Sequence, residues 1–216
     1  MTDNATLSDS PEVQPPAAAA PQDGRRAWRE RNRLAVVDAL LDLYAAGNLR
    51  PDAGAVAERS GVSRRSVFRY FDDRDDLDRA AIERQQQRVR HLLDVPLIGE
   101  GALLERIALL VAQRVVLFEQ IRPAARVSRL RAPFHKVIAE ELGQSRRFLT
   151  RQVERQFAQE LSQMTGTVRA ETLSASDAFC SFETYDFLCD RGLAAAEIGA
   201  VMRRALEALF ASPLRD

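Results

Sequence analysis

Residues 53–72, AGAVAERSGVSRRSVFRYFD, leave the chain few folds to choose from. They read as two short helices joined by a tight turn. Gly61 sits at the turn, where a positive backbone φ costs glycine nothing and costs a residue with a β-carbon about 1 kcal/mol or more. Ala57, four residues earlier, is small, as it must be where one helix crosses closely over another. Val56, Val62, Val67 and Phe71 fall at the offsets that bury one side of the pair. Ser63 precedes the second helix as its N-cap. The outer surface of that helix then carries Arg64, Arg65, Ser66 and Arg69. These features describe a helix-turn-helix with a basic second helix, the arrangement that enters the DNA major groove. A helical hairpin with a solvated arginine face is the plainer alternative. The coincidence of small residue, glycine, cap and basic face at the right spacing favours DNA.

Charge supports that reading only through its distribution. The 216 residues carry a formal net charge of zero. Residues 1–24 hold four acids and no base, whereas residues 25–71 hold ten arginines against five acids. Positive charge is therefore concentrated around the hairpin. Glycine and β-branched residues are sparse beside Ala, Leu, Arg, Glu and Gln, so an all-α fold is expected. Cys180 and Cys189 lie nine apart, on opposite faces if they share one helix. With no basic n-region or apolar h-region at the amino terminus, they fit a reducing cytoplasm. No apolar run approaches the ~20 residues that span a bilayer.

Read in order, residues 1–24, rich in Ala and Pro, are expected to form a disordered arm. A first helix is expected over 26–46, with Leu34, Val37, Leu41 and Tyr44 inward and Gly47 at its end. Its start is crowded with Arg25, Arg26, Arg29, Arg31 and Arg33, which fit a solvated helix start or a phosphate-contacting arm equally well. Asp52 can cap the next helix, Arg74 opens a helix that bridges two domains, and Pro96 and Gly99 close it. Beyond Gly101 lies a helix apolar nearly all round, central to a bundle, and Pro123 is expected to break it. A short basic helix over 124–131, a long helix from Pro133 to 163 bent at Gly143, and helices over 168–190 and 195–211 complete about nine.

Catalytic signatures are missing. His91 and His135 are far apart, with no cysteine at metal-ligand spacing, and there is no GxGxxG, P-loop or GxSxG. Neighbouring acids such as Glu140 and Glu141 point about 100° apart on a helix and make a poor dyad. No enzyme activity, metal or cofactor is expected. The second domain offers an apolar bundle in which Phe118, Phe148 and Phe182 could line a small-molecule site, with Arg114 and Glu183 as orienting polar groups. Phe134 and Phe179 belong to the same aromatic surplus. Aromatics in a bundle are usually plain core, so the pocket is an expectation about the region more than about any one ring. On the last helix Ile198, Val201, Met202 and Leu209 share one side, and a two-fold pairing there would form a four-helix bundle.

The run GVSRRSVFRYF, followed by Arg74 and Leu77, resembles the DNA-binding segment of tetracycline-repressor-type (TetR family) transcription regulators. Upstream, a helix ending at Gly47 with Val56 nine residues later is similar in spacing. Near the end, SFETYDFLCDRGL is similar to the penultimate helix of many members. Where members often place a hydroxyl beside the cap of the second helix, this chain has Ala53, so a phosphate contact there must come from backbone amides. The resemblance implies a DNA-binding domain over 25–73, a connecting helix over 74–95, and an effector-binding and dimerisation domain over 96–216. It implies a homodimer through the last two helices, binding a palindromic operator as a repressor that a small ligand releases. On a helical wheel Arg65 and Arg69, with Ser66 and Arg64, face bases, while Tyr70 and Arg74 sit at positions that contact phosphate in the family. An architectural DNA binder with no effector, and a helical carrier or enzyme that keeps the hairpin, remain as alternatives.

Overall fold

The structure, a computed structural model, describes residues 21–211, the side chains of residues 21–23 and 74 excepted. The expected amino-terminal arm thus lies outside the described residues, apart from its last four positions, which belong to the first helix. The described residues form ten α-helices and two 3-10 turns, with no strand.

The amino-terminal part is built as its sequence dictates. Helix α1 (Pro21–Ala45) buries Val36, Val37, Leu40, Leu41 and Tyr44 along one stripe. Gly47 ends it in the left-handed region (φ 87°), which lets the Asn48 amide return to the Leu43 carbonyl at 2.9 Å. Helix α2 (Ala53–Ser60) begins at Asp52, whose Oδ1 accepts from the Ala55 amide at 2.8 Å, and stops at Gly61, again left-handed. Helix α3 (Arg64–Arg69) starts at Ser63, whose hydroxyl accepts from the Ser66 amide at 3.2 Å. Asp73 caps α4 (Arg74–Val89) in the same way, accepting from Asp76 at 2.8 Å. Val56, Ala57, Val67, Tyr70 and Phe71 then close on the α1 stripe, with Ala80 and Ala81 of α4 beneath.

The remaining helices form a bundle around α5 (Leu103–Arg131), which buries Ile107, Leu110, Val111, Leu117 and Phe118. Helices α6 (Lys136–Gln156), α7 (Ala158–Leu161), α8 (Gly166–Phe179), α9 (Phe182–Asp190) and α10 (Ala195–Ala211) surround it. Gly199 lets α10 come close to α5: a β-carbon there would meet Val115 Cγ2 at 3.5 Å and Val111 Cγ1 at 3.7 Å.

Three helix boundaries differ from expectation. Pro123 does not break the chain; it lies inside α5, so the central helix and the short basic helix are one. A proline there removes one hydrogen bond and costs about 3 kcal/mol. Burial on both sides offsets it, with Phe118 upstream in the bundle and Ala125 and Val127 downstream. Val127 packs into the amino-terminal core itself. The long helix from Pro133 is the second difference. Pro133 falls in a 3-10 turn (Ala132–Phe134), α6 passes through Gly143, and the interruption comes at the fully buried Phe157. Third, the helix expected over 168–190 stops at Cys180 and restarts after Ser181, whose hydroxyl accepts from the Thr184 amide at 3.1 Å.

Candidate nucleic-acid interface and effector cavity

Helix α3 is short, and three buried side chains, Val67, Tyr70 and Phe71, fix its inner side and its end. Its outer side presents Arg64, Arg65, Phe68 and Arg69 to solvent, with Ser66 half-buried and its hydroxyl 2.9 Å from that of Ser63. The three arginines are exposed on the side where the sequence puts them, while the Ser66 hydroxyl is turned to Ser63. Tyr70 does not. Its ring is 4% exposed, and its hydroxyl accepts a hydrogen bond from Asn32 Nδ2 at 3.0 Å. It is a core residue tying α3 to α1 and not one at the margin of the basic face. Its backbone is still helical, and three positions after Val67 it lies only about 60° from the core direction, within the arc that α1 covers. The Arg74 side chain lies outside the described residues. Phe68, 69% exposed, is the residue that counting overlooked. An aromatic one position beyond Val67 reads as core by composition, yet the wheel turns it outward beside Arg65.

At the start of α2 the chain's own carboxylate already takes the anion's place. Two backbone hydrogen bonds, from Ala55 and then Gly54, hold the Asp52 carboxyl below its ordinary range, so the cap stays ionised and ordered. Ala53 follows it with no hydroxyl to offer.

The expected pocket region contains a cavity of about 740 Å³ lined by α4, α5 and α6 and reaching Leu41 and Tyr44 of α1. Phe118, Phe148 and Phe182 all line it, together with Leu117, Ile121 and Leu149. Phe118 meets Phe182 edge-on, with ring centroids 5.7 Å apart. The two polar residues expected there are arranged differently. Arg114 is fully buried beside the cavity and outside its lining, donating to Gln152 Oε1 at 2.9 Å and to the Leu149 carbonyl at 3.1 Å. Among the described residues no carboxylate pairs with it, and its Nε has no hydrogen-bond partner. Burial pulls its pKa down to about 10, which still leaves it charged at neutral pH. Glu183 is likewise outside the lining, but it positions two lining arginines, accepting from Arg129 at 3.0 Å and Arg146 at 2.6 Å. Arg129 lies over the Phe182 ring, 4.0 Å from its centroid.

Helix α4 is the side of the cavity that sequence reasoning left out. Its Ile82, Gln86 and Val89 line the space, and so does the Asp78 carboxylate, 4% exposed and held by both terminal nitrogens of Arg131. Asp75 and His135 lie close to Asp78, their ligand atoms within 4.8 Å of one another. Arg131 already occupies both Asp78 oxygens, which makes this group an ion-pair cluster. On its other side α4 grips α1, where Arg84 donates to both oxygens of Asp38 at 2.7 and 2.8 Å and Arg88 adds a third bond at 2.8 Å. No sequence pattern announces such pairs, because the partners lie about fifty residues apart.

The expected dimer face divides in two. Ile198 and Met202 are fully buried against the chain's own bundle, so they are intramolecular core and cannot also meet a partner. Val201 is 43% exposed, Leu209 is half-buried, and Phe187 of α9 stands 60% exposed nearby in the sequence order of the bundle. The wheel had grouped positions 198, 201, 202 and 209 as one side. That side is in fact the boundary between a core-facing stripe and an outward one.

A capped helix-turn-helix joined through α4 to a helical bundle with a cavity open to solvent is the class of molecule these observations define. No family model matches the chain, and no curated protein matches it in sequence. In structure it is similar to the crystal structure of a "putative TetR-family transcriptional regulator" from Rhodococcus sp., with a TM-score of 0.62 at 15% identity. The match covers 83% of this chain and 98% of that one. At this identity the likeness is one of fold, and it agrees with the fold that the hairpin's resemblance implies. Among the described residues no helix is long and apolar enough to cross a membrane.

Proposed function

We propose that this chain is a sequence-specific DNA-binding transcription regulator whose affinity for its operator is set by a small ligand. The observation that carries the reading is the rigid presentation of exposed Arg64, Arg65 and Arg69 on a capped helix anchored by buried Val67, Tyr70 and Phe71. Arg65 and Arg69 read bases, since a guanidinium can bond guanine bidentately for about 1–3 kcal/mol of discrimination. Phe68 adds an apolar contact suited to a thymine methyl. Arg74 holds a phosphate, and Tyr70 acts indirectly by fixing the end of α3.

The cavity supports ligand control over a purely architectural role. A molecule filling it presses on α4, and α4 is bonded both to α1 through Asp38 and to α5 through Asp78. A ligand that favours one setting of α4 must change DNA affinity by the same factor by which DNA changes its own. The bounds near 73 and 95 mark the connecting helix, and the amino-terminal core also draws in Ala80 and Ala81 of α4 and Val127 of α5. Two copies pair through the outward faces of α9 and α10 around Phe187 and Val201, spacing two recognition helices ~34 Å apart on a palindromic site. Repression relieved by ligand is the mode this linkage serves most simply. Selecting bound duplexes from a random pool tests the reading: recovery of a two-fold symmetric motif supports it, and a pool without sequence preference overturns it.

A further inference from the structure

The first turns of α1 stand clear of the amino-terminal core. Every residue from Gly24 to Arg31 is exposed, and full burial begins only at Val36. The stretch holds Arg25, Arg26, Arg29 and Arg31 against one acid, Glu30, and contains the chain's single tryptophan, Trp28, 52% exposed. Two helical turns without tertiary packing have little to sustain them. Arginines near an amino-terminal helix end also oppose the macrodipole. An anionic partner laid along this segment would relieve both costs.

Its direction follows from contacts further along. At 100° per residue Arg25, Trp28 and Arg29 continue the stripe that holds Asn32, Val36 and Leu40, with Arg26 on the flank that holds Arg33. Asn32 donates to the Tyr70 hydroxyl at 3.0 Å. Arg33 donates to Asp76 at 2.7 Å and lies 4.9 Å from the Phe71 ring centroid. This stripe therefore faces the end of α3 and the turn into α4. Arg29 prolongs that surface by about 6 Å beyond Arg33 and Arg25 by about 12 Å, at 1.5 Å per residue. With α3 in the major groove, such a reach crosses the bordering phosphate strand toward the minor groove, which is about 6 Å wide.

We propose that Arg25, Arg26, Arg29 and Trp28 form a second contact with duplex DNA, outside the helix-turn-helix, with the guanidinium groups on backbone phosphates and the indole against the sugar-phosphate edge. The inference rests on the reading of α3 as a DNA-binding helix. Charge complementarity selects the occupant. An anionic membrane would offer the same sign, but Trp28 is the segment's one large apolar residue and sits among its arginines, whereas interfacial helices separate a broad apolar face from a charged one.

Because Trp28 is the sole tryptophan, its emission reports on this segment in the unmodified protein. The probe is a 30-base-pair mixed-sequence duplex carrying a dye, titrated between 50 and 200 mM salt. Saturable quenching of Trp28 in step with the dye's anisotropy is expected. The double variant Arg25→Ala/Arg29→Ala should bind about tenfold more weakly at 100 mM salt. Its slope of log affinity against log salt should be shallower by about two per bound protomer, at ~0.9 per phosphate contact. Neither side chain carries a hydrogen bond or ion pair among the described residues, so its melting temperature should match wild type. Duplex binding with unchanged Trp28 emission and an unchanged slope would overturn the inference while leaving the DNA-binding reading intact. Emission that responds to phosphatidylglycerol vesicles and not to duplex would overturn it in favour of a membrane contact. A wild-type protein that binds no duplex even at 20 mM salt would remove both readings.

Discussion

Glu183 shows how one side chain at the cavity rim can be under heavy electrostatic load. Burial raises its pKa, but hydrogen bonds from Arg129 and Arg146 outweigh that and hold it at about 2, against an ordinary 4.5. A carboxylate depressed in the folded state contributes stability that is fully present above the unfolded value and is lost as pH falls toward the folded one. The window here is pH 4.5 to 2. Glu183 is half exposed, so solvent screening leaves a contribution of about 1 kcal/mol. Glu183→Gln should therefore be less stable than wild type by about that amount at pH 7 and nearly equal to it at pH 2, as thermal melts at the two pH values would show. On α3, Arg65→Ala should relax base preference at one position of each half-site, read by selection on operator variants. Arg74→Ala should weaken all sequences alike and lower the salt slope by about two per dimer. If Arg65→Ala preserved the ranking of variants while Arg74→Ala reordered it, the two roles would be exchanged.

On α10 the distinction between buried and outward positions makes adjacent substitutions diverge. Met202→Arg drives a charge into a fully buried site and should destabilise the bundle by 3 kcal/mol or more, losing the fold before it loses the partner. Val201→Arg, next along the helix but outward, should keep the melting temperature within a few degrees and yield monomers with weak operator binding. Sedimentation of both variants would decide it: a stable dimeric Val201→Arg protein would move the interface elsewhere. The same helix shows what a sequence can and cannot disclose. Local chemistry was legible: Asp52 and Ser63 cap the helices they precede, and Gly47 and Gly61 take the left-handed conformations their positions require. The aromatic set around the cavity was legible too, because three phenylalanines cluster on helices that must pack together. What was hidden depends on distant partners. Pro123 looks like a break until Val127 is seen lodged in the other core, and Tyr70 looks like a surface residue until Asn32 is seen beneath it. A helical wheel ranks positions by angle alone, so it could not tell which edge of the α10 stripe α5 would cover.

At the scale of the molecule the two halves are joined by burial as well as by chain. The Asp78–Arg131 pair, with Asp78 almost fully enclosed, bonds α4 to α5 at the cavity wall. Removing one partner of such a pair strands the other, so Asp78→Ala should cost about 3 kcal/mol. Calorimetry on the wild type should show a single unfolding transition, since Val127 of α5 completes the amino-terminal core. Two resolved transitions in the wild type would argue that the halves are separable, and a second transition emerging only in Asp78→Ala would locate the joint. The unbroken passage of α5 through Pro123 has a practical corollary for protein engineering. An amino-terminal part cut from this chain after α4 would carry a hole where Val127 had been, and a foreign bundle spliced on at that point would have nothing to fill it. Any working chimera must take the last turns of α5 along with that part, which makes this chain harder to recombine by parts than its linear order of segments suggests.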